Sequence, residues 1–234
     1  MRIKQGLPKA IDDLYAVFAS YRILSSRFGA CDWLPEATVT AMKSKPLRTL
    51  TDSDLREYAN NPWYCGNEND YKHFLPRLAE LFIAGKLAVT AEMFFLNLQH
   101  RTWPEREQRA VDAFVMKSWQ ALLNSFPFPF EPDEFLGGLA QLMPDLSPLL
   151  DAWDRNETLP SLRQLCLFIH HATYSGSWDN ARSQKDQVID WLLNPQIMER
   201  LKRAWSEYFG QPVSLEFFEA VNILMQWKDK YAGG

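Results

Sequence analysis

The sequence predicts an all-α protein. Apolar residues recur at three- and four-residue spacing along almost the whole chain. No stretch alternates with period two between hairpin turns. Residues that start and stop helices fall at the ends of the periodic runs. The expectation is a single compact multi-helix domain of about ten helices over residues 1–234, with a subdomain seam at 125–131 that would make it two packed helical subdomains.

Each element follows from its local sequence. Ile11, Leu14, Tyr15, Phe18 and Tyr21 form the first apolar stripe, just after Pro8. Thr51-Asp-Ser-Asp supplies an N-cap with acids in the first turn, ahead of Leu55 and Tyr58. Tyr71, Phe74, Leu75, Leu78 and Phe82 form the next stripe, with Pro76 in its middle. Proline cannot donate to the carbonyl four residues back, so a kink is expected, or a start near Phe74 with Asn69 and Asp70 as caps. Thr102-Trp-Pro-Glu reads as a capping box opening a helix to about Asn124. Later helices are expected near 132–142, 145–154, 161–173, 183–193, 196–209 and 214–230. Asn194-Pro195 stops one and starts the next, and Gly210-Gln-Pro212 divides the last two. Phe126-Pro-Phe-Pro-Phe130 breaks any continuous helix, and its three rings should pin the loop to the core.

Composition narrows the functional classes. The net charge of −4 excludes a strongly basic nucleic-acid binder. No apolar run approaches the ~20 residues of a membrane span. The first residues, MRIKQGLPKAIDDLY, lack the apolar core of a signal peptide. Three scattered cysteines, Cys31, Cys65 and Cys166, suggest no disulfide framework. Together these predict a reduced, cytoplasmic protein with no nucleic-acid or membrane partner. The charge is uneven: residues 126–162 hold seven acids (Glu131, Asp133, Glu134, Asp145, Asp151, Asp154, Glu157) against the one base Arg155.

The candidate sites each have a simpler reading beside them. Asp70, His73 and Arg77 lie at one helix entrance and would suit an anion, a partner or a polar catalytic centre; capping plus a solvated face is the favoured reading. Cys166 and His170 have the i, i+4 spacing of a zinc pair, but no further ligand pair accompanies them, and Cys166 shares a core stripe with Leu162, Leu165 and Ile169. No metal or cofactor is expected. Trp63-Tyr64 and Trp178 stand in glycine-containing loops, where aromatics act as binding anchors or as plugs for a helical core. No phosphate-binding loop, nucleophile elbow or HExxH helix occurs, so no catalytic residue is assigned.

Two blocks carry a resemblance. Pro46, Leu47, Arg48, Asp54, Leu55 and Tyr58, then Asp70, Tyr71, His73, Phe74, Leu75, Pro76 and Arg77, and later Trp191, Leu192, Pro195 and Leu201 resemble the PLRxL, DYKHFLPR and WLxxP blocks of an uncharacterised bacterial all-helical family. The resemblance covers residues 31–82 and 187–209 and implies a helical bacterial protein, without an activity. Family members carry a close cysteine pair upstream, where this chain has Cys31 alone, followed by Asp-Trp-Leu.

The function these features favour is protein binding. Its most concrete form is a cytosolic immunity protein that neutralises a bacterial toxin, with Asp151, Asp154 and Glu157 steering a basic toxin domain. Trp63, Tyr64, Trp178, Asp70, His73 and Arg77 complete the candidate partner-binding set. An adaptor or chaperone holding a client is the first alternative. An enzyme centred on Asp70, His73 and Arg77 is the second.

Overall fold

A computed structural model describes residues 6–24, 28–99, 103–172 and 182–232. The fold is all-α: thirteen α-helices and no strand occur among the described residues. The chain divides into two compact units, residues 1–118 and 119–234. The boundary falls inside a helix, seven residues before the proline-rich stretch begins at Ser125-Phe126.

The first unit contains α1 (Gly6–Val17), α2 (Glu36–Ser44), α3 (Asp52–Asn60), α4 (Pro62–Cys65), α5 (Glu68–Ile83), α6 (Ala91–Gln99) and the first part of α7 (Glu105–Leu123). Its centre is α5, which buries 11 of its 16 residues. Phe82 stacks on Phe94 at 4.0 Å between ring centroids and meets the edge of Phe95 at 5.6 Å, which joins α5 to α6. On the other side Phe74 packs against Tyr58 at 5.1 Å and Phe28 at 5.6 Å. Thr51 caps α3, as the sequence predicts, and does so in a reciprocal box with Asp54.

The entrance to α5 differs from expectation. The helix starts at Glu68, not near Phe74, and runs through Pro76. Asn67 is its cap and Asp70 is the third residue of a capping box: the Asp70 amide donates to the Asn67 side chain, and the Asn67 amide donates to Asp70 Oδ2. The box satisfies the entrance amides two turns ahead of the proline. Pro76 removes one helical donor, and the capped entrance offsets part of that cost.

The second unit contains the rest of α7, then α8 (Pro132–Ala140), α9 (Ser147–Asp154), α10 (Leu159–Ala172), α11 (Arg182–Leu192), α12 (Pro195–Glu207) and α13 (Ser214–Ala232). Two fully buried tryptophans set its core. Trp119 and Trp153 meet edge to face at 5.1 Å, and Phe168 lies 5.3 Å from Trp153. Their indole N–H groups donate to the carbonyls of Leu149 and Ser161, so large apolar rings are buried without a stranded donor. Phe128 and Phe130 both lean on Phe135 of α8, the pinning expected of the proline-rich loop. Gly210 turns the chain between α12 and α13 at φ +82°, a conformation that side chains with a Cβ resist.

The expectation of three unpaired thiols is corrected. Cys31 and Cys65 form a disulfide, with Cα atoms 5.3 Å apart across 34 residues of sequence. The spacing carries no signature, because the fold alone brings the two positions together. Cys166 is a buried free thiol. Closing a loop of this length restricts the unfolded chain. Replacing Cys31 and Cys65 together by alanine is expected to lower stability by roughly 3–4 kcal/mol in a urea titration. Thiol titration of the denatured, unreduced protein checks the bond: one reactive thiol is expected, and three would refute it.

Candidate partner-binding site

The polar residues of α5 lie where the sequence places them but are not a solvated face. Asp70 is fully buried and also accepts from the Leu24 amide at 3.3 Å. His73 is half-buried, and its Nδ1–H donates to the Tyr21 carbonyl at 3.0 Å. Arg77 donates from Nε to the Leu50 carbonyl and from Nη1 to Glu80, each at 2.7 Å. Glu80 also accepts from the Tyr15 hydroxyl at 2.7 Å. Lys72 is buried between Glu107 at 2.8 Å and Glu68 at 3.0 Å. These side chains hold three segments of the first unit to α5: Asp70 and His73 hold residues 21–24, Arg77 holds the end of the 3₁₀ turn at Leu47–Thr49, and Lys72 holds α7.

The electrostatics agree with a tethering role. Burial would push the Lys72 ammonium down, but its bonds to Glu107 and Glu68 outweigh that and hold its pKa above the ordinary lysine value. Burial would raise Glu80, yet the Tyr15 hydroxyl and Arg77 hold it below the usual carboxylate range. Burial pushes His73 down, and the Arg22 charge adds to this; the Tyr21 carbonyl and Asp70 oppose it without prevailing.

The exposed aromatics lie elsewhere on the same unit. Of the predicted pair, Trp63 is half-buried: its indole donates to Asn97 at 2.9 Å and its ring packs on Tyr71 at 4.5 Å. Tyr64 is 76% exposed. Its ring meets the edge of Trp33, 45% exposed, at 5.7 Å. Trp33 was not singled out from the sequence. Its available signal was its place two residues after Cys31, beside Tyr64-Cys65 once those cysteines are joined.

The segment carrying Trp33 is held at several points. Phe28 and Leu34 are buried on either side of it. The Gly29 amide donates to the Cys65 carbonyl at 2.9 Å. Gly29 itself sits at φ +81°, where a Cβ would come within 2.6 Å of the Val39 methyls. The disulfide then ties Cys31 to the end of α4. Exposed Asp32 and Glu36 give the neighbourhood acidic character.

In the second unit the acidic stretch is largely matched. Asp154 accepts from the Trp191 indole at 3.0 Å, with buried Arg200 4.0 Å away. Glu157 pairs with Arg203 at 3.0 Å. His171 stands 3.6 Å from both Glu131 and Asp133. Asp145 accepts from Ser147 and Gln187. Asp151 is exposed. The three residues predicted to steer a partner thus do not form one bare field, since two face the arginines of α12. Trp178 lies outside the described residues, as does Thr102 of the expected capping box. Cys166 is buried, while His170 of the same helix is 55% exposed at its side chain.

Comparisons with protein-family models, characterised proteins and solved structures found no match for this chain. No helix among the described residues is long and apolar enough to cross a membrane.

Two outcomes are expected from the α5 network. Asp70→Ala should lower stability by about 1–2 kcal/mol, through the lost cap and the unpaired Leu24 amide, while Asp70→Asn loses less; paired urea titrations measure this. A His73 pKa held below its unfolded value makes native stability complete above about pH 6.5, with loss as pH falls toward the native pKa. His73→Gln keeps a donor for the Tyr21 carbonyl and removes the titration. The wild-type-minus-variant stability difference should therefore decline between pH 7.5 and 5.5, and a flat difference would contradict the shift.

Proposed function

We propose that the protein is a binding module that docks a partner protein through the Trp33–Tyr64 patch of its first unit. The observation that carries this reading is a solvent-facing aromatic pair on backbone fixed by a disulfide, a positive-φ glycine and two buried flanking residues. Aromatics at interfaces contribute most when they are held in place before binding, because little side-chain entropy is then lost. Asp32 and Glu36 favour a partner with basic groups around an apolar pocket. Asp70, His73 and Arg77 support the module by fixing residues 21–24 and 50, which is a role in structure rather than chemistry.

The concrete form we favour is a bacterial immunity protein that neutralises a toxin with a basic domain. The cytoplasmic placement of such a protein is in tension with Cys31–Cys65, because disulfides persist mainly in oxidising compartments. A protein acting outside the reducing cytosol, on the same surface, fits that bond better. A client-holding adaptor is a second reading, favoured by the exposed Phe209, Leu215, Phe218 and Met225 of the second unit.

Co-purification from the native host, with wild type beside Trp33→Ala and Tyr64→Ala, tests the proposal. Each variant should keep its helical circular dichroism and weaken a partner retained by wild type by at least about tenfold. Retention unchanged in both variants, but lost on Phe209→Ser/Phe218→Ser, would transfer the function to the second unit. Reversal of Asp151 to Lys should leave binding within about twofold, as expected for a lone exposed charge away from the patch.

A further inference from the structure

The second unit carries an open cavity of about 200 Å³ beside α10 and α13. Its apolar surface comes from Phe126, Leu167 and the buried thiol of Cys166. At about 30 Å³ of liquid volume per water, the space corresponds to roughly six waters, or one phenyl or branched aliphatic group. Burial pushes the Cys166 thiol well above its ordinary pKa, so it stays un-ionised in the lining and reacts slowly with electrophiles.

The charges around the cavity are unequal in their commitments. Arg163 donates through Nε and Nη2 to the two oxygens of Glu216, at 2.9 and 2.5 Å. The same guanidinium covers the Phe126 ring at 3.9 Å from its centroid. Arg163 is thus engaged on its fork and on one face, and Glu216 is engaged with it. Glu219 is different. Its side chain is 63% exposed, and the nearest opposite group is His170 Nε2 at 4.0 Å, beyond hydrogen-bonding distance. Two carboxylates therefore meet one guanidinium at the cavity, and the carboxylate left over is Glu219.

We infer that this cavity binds a compact hydrophobic amine, with the apolar body on Phe126, Leu167 and Cys166 and the ammonium on Glu219. The apolar lining selects for a body of about one ring, and the uncommitted carboxylate selects for a positive end group over a neutral or negative one. This site is separate from the Trp33–Tyr64 patch and does not depend on it.

Phenethylamine is the probe, with phenethyl alcohol and 3-phenylpropionate as equally sized neutral and anionic controls. Ligand-observed NMR titrations of the full chain give the affinities, and the rate of Cys166 alkylation by a small maleimide reports occupancy of the cavity itself. Phenethylamine should bind about two- to fivefold more tightly than the alcohol, the advantage an exposed charge pair supplies, and 3-phenylpropionate more weakly than both. Saturating phenethylamine should slow Cys166 alkylation. Glu219→Gln, at an exposed position, should abolish the preference for the amine while leaving alcohol binding unchanged. Leu167→Trp should fill the cavity and remove binding of all three; should that variant fold poorly, the Cys166 protection read on wild type and Glu219→Gln decides alone. Equal affinity for the amine and the alcohol, amine binding insensitive to Glu219→Gln, or no protection of Cys166 at saturation would each overturn the inference.

Discussion

The first unit depends on one constraint: α5 is buried on most sides, yet it carries a lysine, a histidine, an arginine and three acids within its first thirteen residues. A buried polar group that lacks a partner costs on the order of 1–3 kcal/mol, and more when it is charged. Each of these side chains therefore has to find a bond, and the available bonds lie on other segments. Asp70 reaches the Leu24 amide, His73 the Tyr21 carbonyl, Arg77 the Leu50 carbonyl, and Lys72 the Glu107 carboxylate on α7. The helix becomes a hub because its polar groups have to be satisfied there. Hydrophobic contact alone, such as Phe82 on Phe94, would join α5 to α6 without fixing where the loop at 21–24 runs.

The same requirement explains the difference between the polar side of α5 and the Trp33–Tyr64 patch. On α5, polarity is consumed internally. At the patch, apolar rings face solvent while the backbone beneath them is fixed by buried Phe28 and Leu34 and by the Cys31–Cys65 bond. Tyr64 stays 76% exposed and Trp33 45% exposed, so these rings gain less from folding than fully buried ones do. On the proposed docking surface such rings would contribute through contact with a partner. The polar cluster, which the sequence favours as capping beside a solvated face, is instead bonded inward to neighbouring segments. A lone loop aromatic reads as ambiguous, yet here it is the exposed feature.

This contrast marks what the sequence made legible. Periodicity and caps placed the helices closely: the Thr51 box starts α3, and Asn194-Pro195 separates α11 from α12. These signals are local, and local rules govern helix ends. The start of α5 was misplaced because Pro76 is a strong local breaker, whereas Asn67 and Asp70 form a reciprocal cap whose strength shows only when both bonds are seen. The disulfide was illegible for a different reason. Cys31 and Cys65 are 34 residues apart and share no spacing motif, so only the packing of Phe28 against α3 and α5 brings them together. Trp33 was missed with it, because its position beside Tyr64 is a consequence of that bond.

The acidic stretch of the second unit shows how a charge count loses meaning on folding. Seven acids against one base in residues 126–162 suggest a strong single-sign field. In the folded unit the bases come from outside that window. Arg200 and Arg203 of α12 stand by Asp154 and Glu157, and His171 of α10 stands by Glu131 and Asp133. Asp154 is pushed above its ordinary pKa by burial, against the pull of the Trp191 indole and Arg200, and Arg200 is pushed down by its own burial. Arg200 is thus withdrawn from water, while Asp154, its side chain 43% exposed, stands at the surface bound to the Trp191 indole. A field that steers association has to project into solvent, within a Debye length of about 8–10 Å. Carboxylates matched by arginines project little of it. On the proposed docking surface the electrostatic contribution would fall to exposed carboxylates such as Asp32 and Glu36, which stand beside the exposed Trp33–Tyr64 pair.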